Sequence, residues 1–526
     1  MKTRAPIRAA GSQAAAHRTS SSRWADRRTA LRLPSLLTIA FLGACASAPV
    51  PASTPSQGTS AANPASAELP DAVTRAVDAV FAEFDDRSPG CAVGVLQGGE
   101  LALARGYGMA NLEHDVPIGA ETVFRIASTS KQMTAGAIAH LAEEGILSLD
   151  DPLERWIPEF PSHAADVTLR HLLHHTSGLR DYLVLMNMAG YRGTDWYSDR
   201  DALEMILRQR ELNFAPGSEF LYSNSGYFLL SVVVERATGQ TLAEYAAERM
   251  FRPLGMASTH FHDDPTRVVP NRATGYSPTE GGYRIDETTL PMVGDGGVFT
   301  TIRDLALWVR NLEDPSTMGG AGWRDAMWTR GVLANGDTLD YALGLQYGSH
   351  RGTSTVGHGG SFVGFRADSR QFPDHGLAVY VLCNRSDAAP QRRTLEVAEV
   401  FLGPYLDEEP EPDEARVDGN AEGRSPEGED PPRSSPSGPV DLGEYGGRYF
   451  SEELGTHYTI AVEEEELVAR LPDGRELTLH HESGDVFGGS FPMVRASFER
   501  DSRGRVTGFH VDAGRTRGIL FDRAGR

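Results

Sequence analysis

The sequence has 526 residues, more than one hydrophobic core ordinarily supports, so two globular domains and some unstructured segments are expected. A hydrophobic fraction of 40% and a charged fraction of 23% are those of an ordinary globular enzyme. The net charge of -22 at pH 7 argues against a nucleic-acid partner, because phosphate binding needs clustered basic residues.

The amino-terminal segment reverses this acidity. Lys2 and the arginines between Arg4 and Arg32 face only Asp26, and the apolar stretch Leu33 to Ala44 follows. That stretch falls well short of the roughly 20 residues a bilayer-spanning helix needs, so it reads as an export signal rather than an anchor. It ends in Leu42-Gly43-Ala44-Cys45, which resembles the bacterial lipoprotein cleavage box. The resemblance implies lipidation of Cys45, and Ala46 after it points to the outer membrane of a diderm bacterium. Residues 1–45 are thus expected to be a lipoprotein-type signal peptide. The mature protein would be exported and periplasmic, touching the membrane only through its lipid. Residues 46–70, rich in Ala, Pro and Ser, form no core and read as a tether.

A helix can begin at Asp71, with Asp71 as its cap, because Val73, Val77, Val80, Phe81 and Phe84 recur at the spacing of one buried face. Two strand-like runs follow, CAVGVLQ and ELALARG, with Gly98-Gly99 between them as a hairpin signal. Residues 125 to 315 read mainly as helices and loops, including KQMTAGAIAHLAEEGIL and GYFLLSVVVERATG. Strand patterns return in TSTVGHGGSFVG, FRADSRQFP and GLAVYVLCN. Strands, helices, then strands is the order of an antiparallel sheet interrupted by a helical insertion, with a cleft where the two meet. Residues 406–440 are rich in acidic residues, Pro, Gly and Ser and read as a linker. Beyond it, in 441–526, short alternating runs from YGGRYF to TGFHVDA suggest a small all-β sandwich or barrel, with Glu463 to Glu466 a solvated turn.

Of the 50 basic residues only Lys2 and Lys131 are lysines, so removal of the signal leaves Lys131 as the sole lysine. Lysine differs from arginine in that it can lose its proton when desolvated, which makes Lys131 a candidate for proton transfer. In FRIASTSKQMTAGAIAHL, Ser128 lies three residues before it, a spacing that on a helix puts both side chains on one face. A serine hydroxyl needs such a neighbour to accept its proton before it becomes a nucleophile. Two further fragments join them: Tyr222-Ser223-Asn224 just ahead of a helical run, and His358-Gly359-Gly360-Ser361 in the late strand region.

With these fragments the chain resembles the serine β-lactamase, penicillin-binding protein and esterase superfamily, closest to the class C β-lactamase-like hydrolases. Those proteins carry Ser-x-x-Lys, Tyr-x-Asn and a Lys-Thr-Gly or His-x-Gly strand in this order. The likeness runs over residues 71 to 405 and includes RHLLHHTSGL, NRATGY and GDGGVFTTIRDLALWV. It implies an α+β fold (α/β in the broad sense), an antiparallel sheet flanked by helices with a helical subdomain, and places the catalytic domain at 71–405. It makes Ser128 the nucleophile, Lys131 its base, Tyr222 a proton relay and Asn224 a group that orients the substrate amide. The backbone amides of Ser128 and Ser361 would form the oxyanion hole. In the resembled fold the first and last strands are antiparallel neighbours, so Cys91 and Cys383 would meet and could form a disulfide. Residues 441–526 resemble the small lipocalin-like β modules appended to some relatives.

The chain departs from the β-lactamase pattern at His358 and Gly359, which stand where lysine and threonine bind the antibiotic's carboxylate. A histidine is only partly charged at neutral pH and glycine has no hydroxyl, so carboxylate recognition and β-lactam hydrolysis should weaken. The expected activity is hydrolysis of a small peptide, with D-amino acids in view, or of an ester through an acyl-enzyme, without cofactor or metal. The alternatives are a β-lactamase or D-alanyl-D-alanine carboxypeptidase, or a non-catalytic protein that binds cell-wall fragments. His171, His174 and His175 could in principle ligate zinc, His171 and His175 sharing a helical face, but no nearby carboxylate or cysteine completes the set. Nucleophile-elbow, phosphate-loop and zincin motifs are not found.

Overall fold

A computed structural model describes residues 69–407 and 440–525. The expected signal peptide with Cys45, nearly all of the 46–70 tether and nearly all of the 406–440 linker lie outside the described residues.

Helix α1 spans Asp71–Val80. Asp71 is its first helical residue and not its cap, a place taken by Pro70. The carboxylate still lies in the first turn, where the helix dipole favours it. Phe81 and Phe84 fall just beyond the helix and are buried nonetheless. Strands β1 (Cys91–Gln97) and β2 (Glu100–Tyr107) follow, joined by Gly98 and Gly99 at φ +57° and +80°. Two successive positive φ values are what a primed hairpin turn demands.

The helical insertion contains α2 (Lys131–Glu143), α3 (Leu169–Leu173), α4 (Tyr182–Met188), α5 (Asn224–Thr238) and α6 (Ile302–Glu313). The chain then returns to the sheet with β3 (Gln346–His350), β4 (Thr353–Phe362), β5 (Phe365–Phe372) and β6 (Leu377–Cys383), and α7 (Pro390–Leu402) closes the domain. The six strands form an antiparallel sheet in the order β3-β4-β5-β6-β1-β2.

This sheet is buried on both faces, and strand alternation divides its side chains between two cores. Ala92, Leu96, Tyr380 and Leu382 pack with the helical insertion. Val93, Val95, Val379 and Val381 face the other way, packing with residues of α1 and α7. Gly94 is bare because the Tyr380 ring lies across it, and an added Cβ would come within 2.1 Å of that ring. Cys91 is paired directly opposite Cys383 and the two form the disulfide, buried on the α1 and α7 side.

The second domain is a closed antiparallel barrel of eight strands. These are β7 (Gly447–Ser451), β8 (Thr456–Glu463), β9 (Glu466–Arg470), β10 (Glu476–Ser483), β11 (Val486–Gly488), β12 (Arg495–Arg500), β13 (Val506–Asp512) and β14 (Ile519–Arg523). Closure removes the unpaired edges that a small open sheet exposes, and the architecture agrees with a lipocalin-like module. The short β11 and the final β14 carry too little alternation to stand out in the sequence.

The barrel packs on the first domain beside α4. Tyr458 donates to the Met188 carbonyl at 2.8 Å, and Arg475 donates to that of Asn187 at 2.9 Å. A fully buried ion pair, Arg180 with Glu453 at 2.6 Å, joins the domains.

The disulfide ties strands distant in the chain but adjacent in the sheet. Replacing both cysteines by alanine is expected to lower unfolding stability by about 2–5 kcal/mol, read from urea denaturation monitored by circular dichroism. Unreduced, denatured wild-type protein should meanwhile show no titratable thiol at these two positions.

Candidate active site

Between Thr122 and Ala139 every residue is buried except Ser128, which is partly exposed. It sits in a 3-10 turn, Ala127–Ser130, immediately ahead of α2, rather than inside a continuous helix as the spacing implied. Ala127 precedes it at φ +46°, a left-handed conformation that costs a non-glycine residue energy and is held by the surroundings. Those surroundings are specific. The Val298 amide donates to Ser130 Oγ at 3.0 Å, and Thr129 Oγ1 donates to the His358 carbonyl at 3.2 Å. A buried, tied-down turn thus presents one hydroxyl to the cleft.

Lys131, the first residue of α2, is fully buried. Its Nζ lies 2.9 Å from Asn224 Oδ1, 2.6 Å from the Asp295 carbonyl and 3.2 Å from Ser128 Oγ. The first two oxygens can only accept hydrogen bonds, whereas the serine can also donate. A neutral amine has two hydrogens and one lone pair. When its hydrogens are directed to Asn224 and Asp295, such an amine has its lone pair available to the Ser128 hydroxyl, the arrangement a base requires.

Asn224 opens α5, and both ends of its side-chain amide are turned inward. Oδ1 accepts from Lys131, while Nδ2 donates to Asp181 Oδ2 at 2.9 Å. In this structure Asn224 orients Lys131, and the expected role of orienting a substrate amide is not tested by these contacts. Asp181 is itself fixed as the cap of α4, where its other oxygen accepts from the Leu183 and Val184 amides. Asp295 is fully buried, and that burial raises its carboxyl pKa against the opposing charge of Lys131. Tyr182 donates to this carboxyl at 3.1 Å.

Tyr222 closes the site. Lys131 Nζ lies 4.8 Å from its ring centroid, and the ring packs on His175 at 4.1 Å between centroids. His175 accepts from the Ser223 amide at Nδ1, at 3.1 Å, which leaves its proton on Nε2 for Tyr341 Oη, also at 3.1 Å. Burial, then the Lys131 charge, pushes the His175 pKa well below 6.5, so the ring is neutral. Tyr341 Oη in turn lies 3.1 Å from His358 Nε2.

His358 is fully buried on β4, with Nδ1 2.6 Å from the Gly359 carbonyl. It belongs to the internal chain His175-Tyr341-His358, contacts that leave its expected role toward substrate untested. At Gly359 an added Cβ would come 2.7 Å from Gln391 Nε2, the end of a flexible side chain that stands where a hydroxyl-bearing residue would project. At Gly360 a Cβ would lie 2.2 Å from the Ile126 carbonyl, and glycine is what lets β4 approach the nucleophile's turn. Strand β3 pairs only as far as Gly357, so the margin of β4 from His358 to the partly exposed Ser361 has no strand beside it there.

The three histidines weighed and set aside as zinc ligands diverge. Helix α3 ends at Leu173 and His175 has φ +58°, so His171 and His175 do not share a helical face. His171 instead accepts from the Thr168 amide, and His174 contacts the Arg170 and Thr329 carbonyls. Among the described residues no group of three His, Cys, Asp or Glu side chains could hold a metal.

One cation arrives from the barrel. Arg515, on the loop between β13 and β14, has its guanidinium carbon 5.5 Å from the Tyr222 ring centroid and Nη1 3.8 Å from Asp181. Arg515, Asp181, Asp295 and Tyr341 were not singled out from sequence. Asp181 and Asp295 border or lie within noticed motifs, but nothing in their spacing reports what they touch.

The beta-lactamase family model matches residues 77–402, and the chain belongs to that family. It is 30% identical over 332 residues to a D-aminopeptidase of Gluconobacter oxydans, covering 63% of this chain and 62% of that protein. Over 338 residues it is 30% identical to a penicillin-binding protein of Bacillus subtilis, covering 59% and 72%. The chain thus spans about three fifths of the D-aminopeptidase's length. Among solved structures, a penicillin-binding protein from Bacillus halodurans aligns with TM-score 0.53 and 26% identity over 62% of this chain and 99% of that one. An octameric penicillin-binding protein homologue from Pyrococcus abyssi shares the fold at TM-score 0.57 and 23% identity, over 86% and 99%.

Guanidinium cannot become a neutral base, so Lys131→Arg should lower kcat by about a thousandfold while changing KM little, as measured with a chromogenic acyl ester. Turnover that survives this substitution would remove the amine from the mechanism.

Proposed function

We propose that this protein is a serine hydrolase that cleaves amide bonds, D-aminoacyl peptides and amides foremost, and small esters through an acyl-enzyme. The observation that carries the proposal is the buried Lys131 amine within 3.2 Å of the Ser128 hydroxyl, with the carbonyl-type oxygens of Asn224 and Asp295 among its other partners.

In this reading Ser128 Oγ gives its proton to Lys131 Nζ and attacks the substrate's acyl carbon. The amides of Ser128 and Ser361 take up the developing oxyanion, worth about 3 kcal/mol of barrier per donor. The proton passes by way of Tyr222 to the leaving amine or alkoxide, the carbon–nitrogen or carbon–oxygen bond breaks, and Ser128 is left acylated. Water, deprotonated by the same amine, then releases the acid. The preference for D-aminoacyl substrates is supported by the names of relatives, D-aminopeptidases among them. A fused β-lactam is a poor substrate in this reading, since His358 is buried and Gly359 bare where a carboxylate-binding pair would stand.

A fluorophosphonate probe tests the proposal against a purely binding protein. Wild type should be labelled and Ser128→Ala should not, and D-alanine p-nitroanilide should be turned over with at least about tenfold higher kcat/KM than nitrocefin. Absence of labelling in the folded wild type would favour the binding protein.

We further propose that the chain is exported and held at the outer membrane by lipid on Cys45. A disulfide between Cys91 and Cys383 supports an oxidising compartment. Radiolabelled palmitate should be incorporated into the full-length chain expressed in a diderm host and lost in Cys45→Ser.

A further inference from the structure

Arg515 is placed with more care than a surface arginine needs. Its loop, Ala513–Gly518, is clamped by the catalytic domain. Arg180 Nε donates to the Arg517 carbonyl at 2.9 Å and Arg180 Nη2 to that of Gly518 at 3.2 Å. Asn213 Nδ2 donates to the Arg515 carbonyl at 3.0 Å, and Asn213 Oδ1 accepts from the Arg517 amide at 2.8 Å. Arg180 is held in turn by the buried carboxylate of Glu453. Four polar contacts thus fix the backbone from Arg515 to Gly518, and the Arg515 side chain is delivered over the Tyr222 ring.

The Arg515 side chain is 35% exposed, and its approach to the buried Asp181 is long, at 3.8 Å through one nitrogen. An arginine has five N–H donors in a planar fork, so one contact of this length leaves donors for a second anion. On strand β4, meanwhile, His358 is buried against Tyr341 and the Gly359 carbonyl. The barrel brings a permanent cation to the site.

We propose that Arg515 is the specificity-determining residue of the site and that it selects substrates whose leaving group carries a free carboxylate. This deepens the proposed function and rests on Tyr222 serving the leaving amine. In a peptide, the amine released from the scissile bond and the α-carboxylate of the carboxy-terminal residue are separated by one carbon. A proton delivered from Tyr222 to the amine therefore places that carboxylate beside the cation on the same ring. A linear peptide can turn its terminal carboxylate onto Arg515, whereas a fused β-lactam holds its own rigidly toward β4. The preferred substrate is a short peptide cleaved before its last residue.

Binding, independent of turnover, tests this. The full chain with Ser128→Ala is titrated calorimetrically with N-acetyl-D-alanyl-D-alanine and with its carboxy-terminal amide. The acid should bind at least about tenfold more tightly than the amide, the gap should vanish with Arg515→Gln added, and Arg515→Lys should restore part of it. A structural role alone would weaken acid and amide alike. Equal affinities in the Arg515 protein, no binding of the acid, or a gap that persists with glutamine overturns the proposal. Should the glutamine variant not fold, the lysine variant decides, an undiminished gap counting against the fork. Failure of fluorophosphonate labelling in wild type would instead strike the hydrolase reading and leave the measured gap standing.

Discussion

A buried amine, held by two oxygens that cannot donate and facing one that can, is the constraint around which the catalytic domain is built. Burying a lysine in apolar surroundings is costly unless its hydrogens are satisfied, and each partner here comes from a different part of the chain. Ser128 lies on the turn before α2, Asn224 begins α5, and the Asp295 carbonyl belongs to the loop before α6. The helical insertion must therefore fold as a whole before the amine is satisfied. Behind Asn224, Asp181 decides which end of the amide faces the lysine, because a carboxylate accepts only from the nitrogen end. With the amide reversed, its nitrogen would meet the lysine hydrogens and its oxygen a carboxylate. The buried charge of Asp181 is thus an orienting device at one remove from the chemistry.

The chain His175-Tyr341-His358 extends the same logic to the sheet side. Its direction is set at one end by the Ser223 amide and at the other by the Gly359 carbonyl. It ties the segment beneath Tyr222 to strand β4, which approaches the nucleophile's turn because Gly360 has no side chain. The two walls of the cleft are consequently tied together by buried hydrogen bonds, which cost little when donor and acceptor are matched.

Much of this was legible in the sequence. The strand-helix-strand order, the hairpin at Gly98-Gly99 and the meeting of Cys91 with Cys383 were expected and are present in the structure. Ser128 and Lys131 were found together because their spacing is local, and a lone lysine among arginines drew notice. What was not legible has a common cause. A motif names residue types, as at Asn224 and His358, whereas the direction a side chain faces is set by partners far away in the sequence. Asp181 and Tyr341 act only through such partners. The barrel was foreseen from its alternating runs, but which of its loops reaches the cleft depends on docking, and no periodicity encodes that.

Docking depends on how the buried pair between Arg180 and Glu453 acts. Such a pair adds little net stability, because its desolvation offsets most of its attraction, yet separating the partners leaves an unpaired buried charge costing about 3–5 kcal/mol. The pair therefore specifies orientation more than strength. Arg180 uses its remaining donors on the carbonyls of Arg517 and Gly518, and the next residue in the chain is Asp181. Two successive residues thus hold the barrel loop on one side and the amide that orients Lys131 on the other. A barrel rotated out of place would lose the charge pairing, both carbonyl contacts and the position of Arg515 together. Loop and nucleophile are thereby coupled through a single dipeptide, and an added domain can contribute to the site without altering the catalytic core.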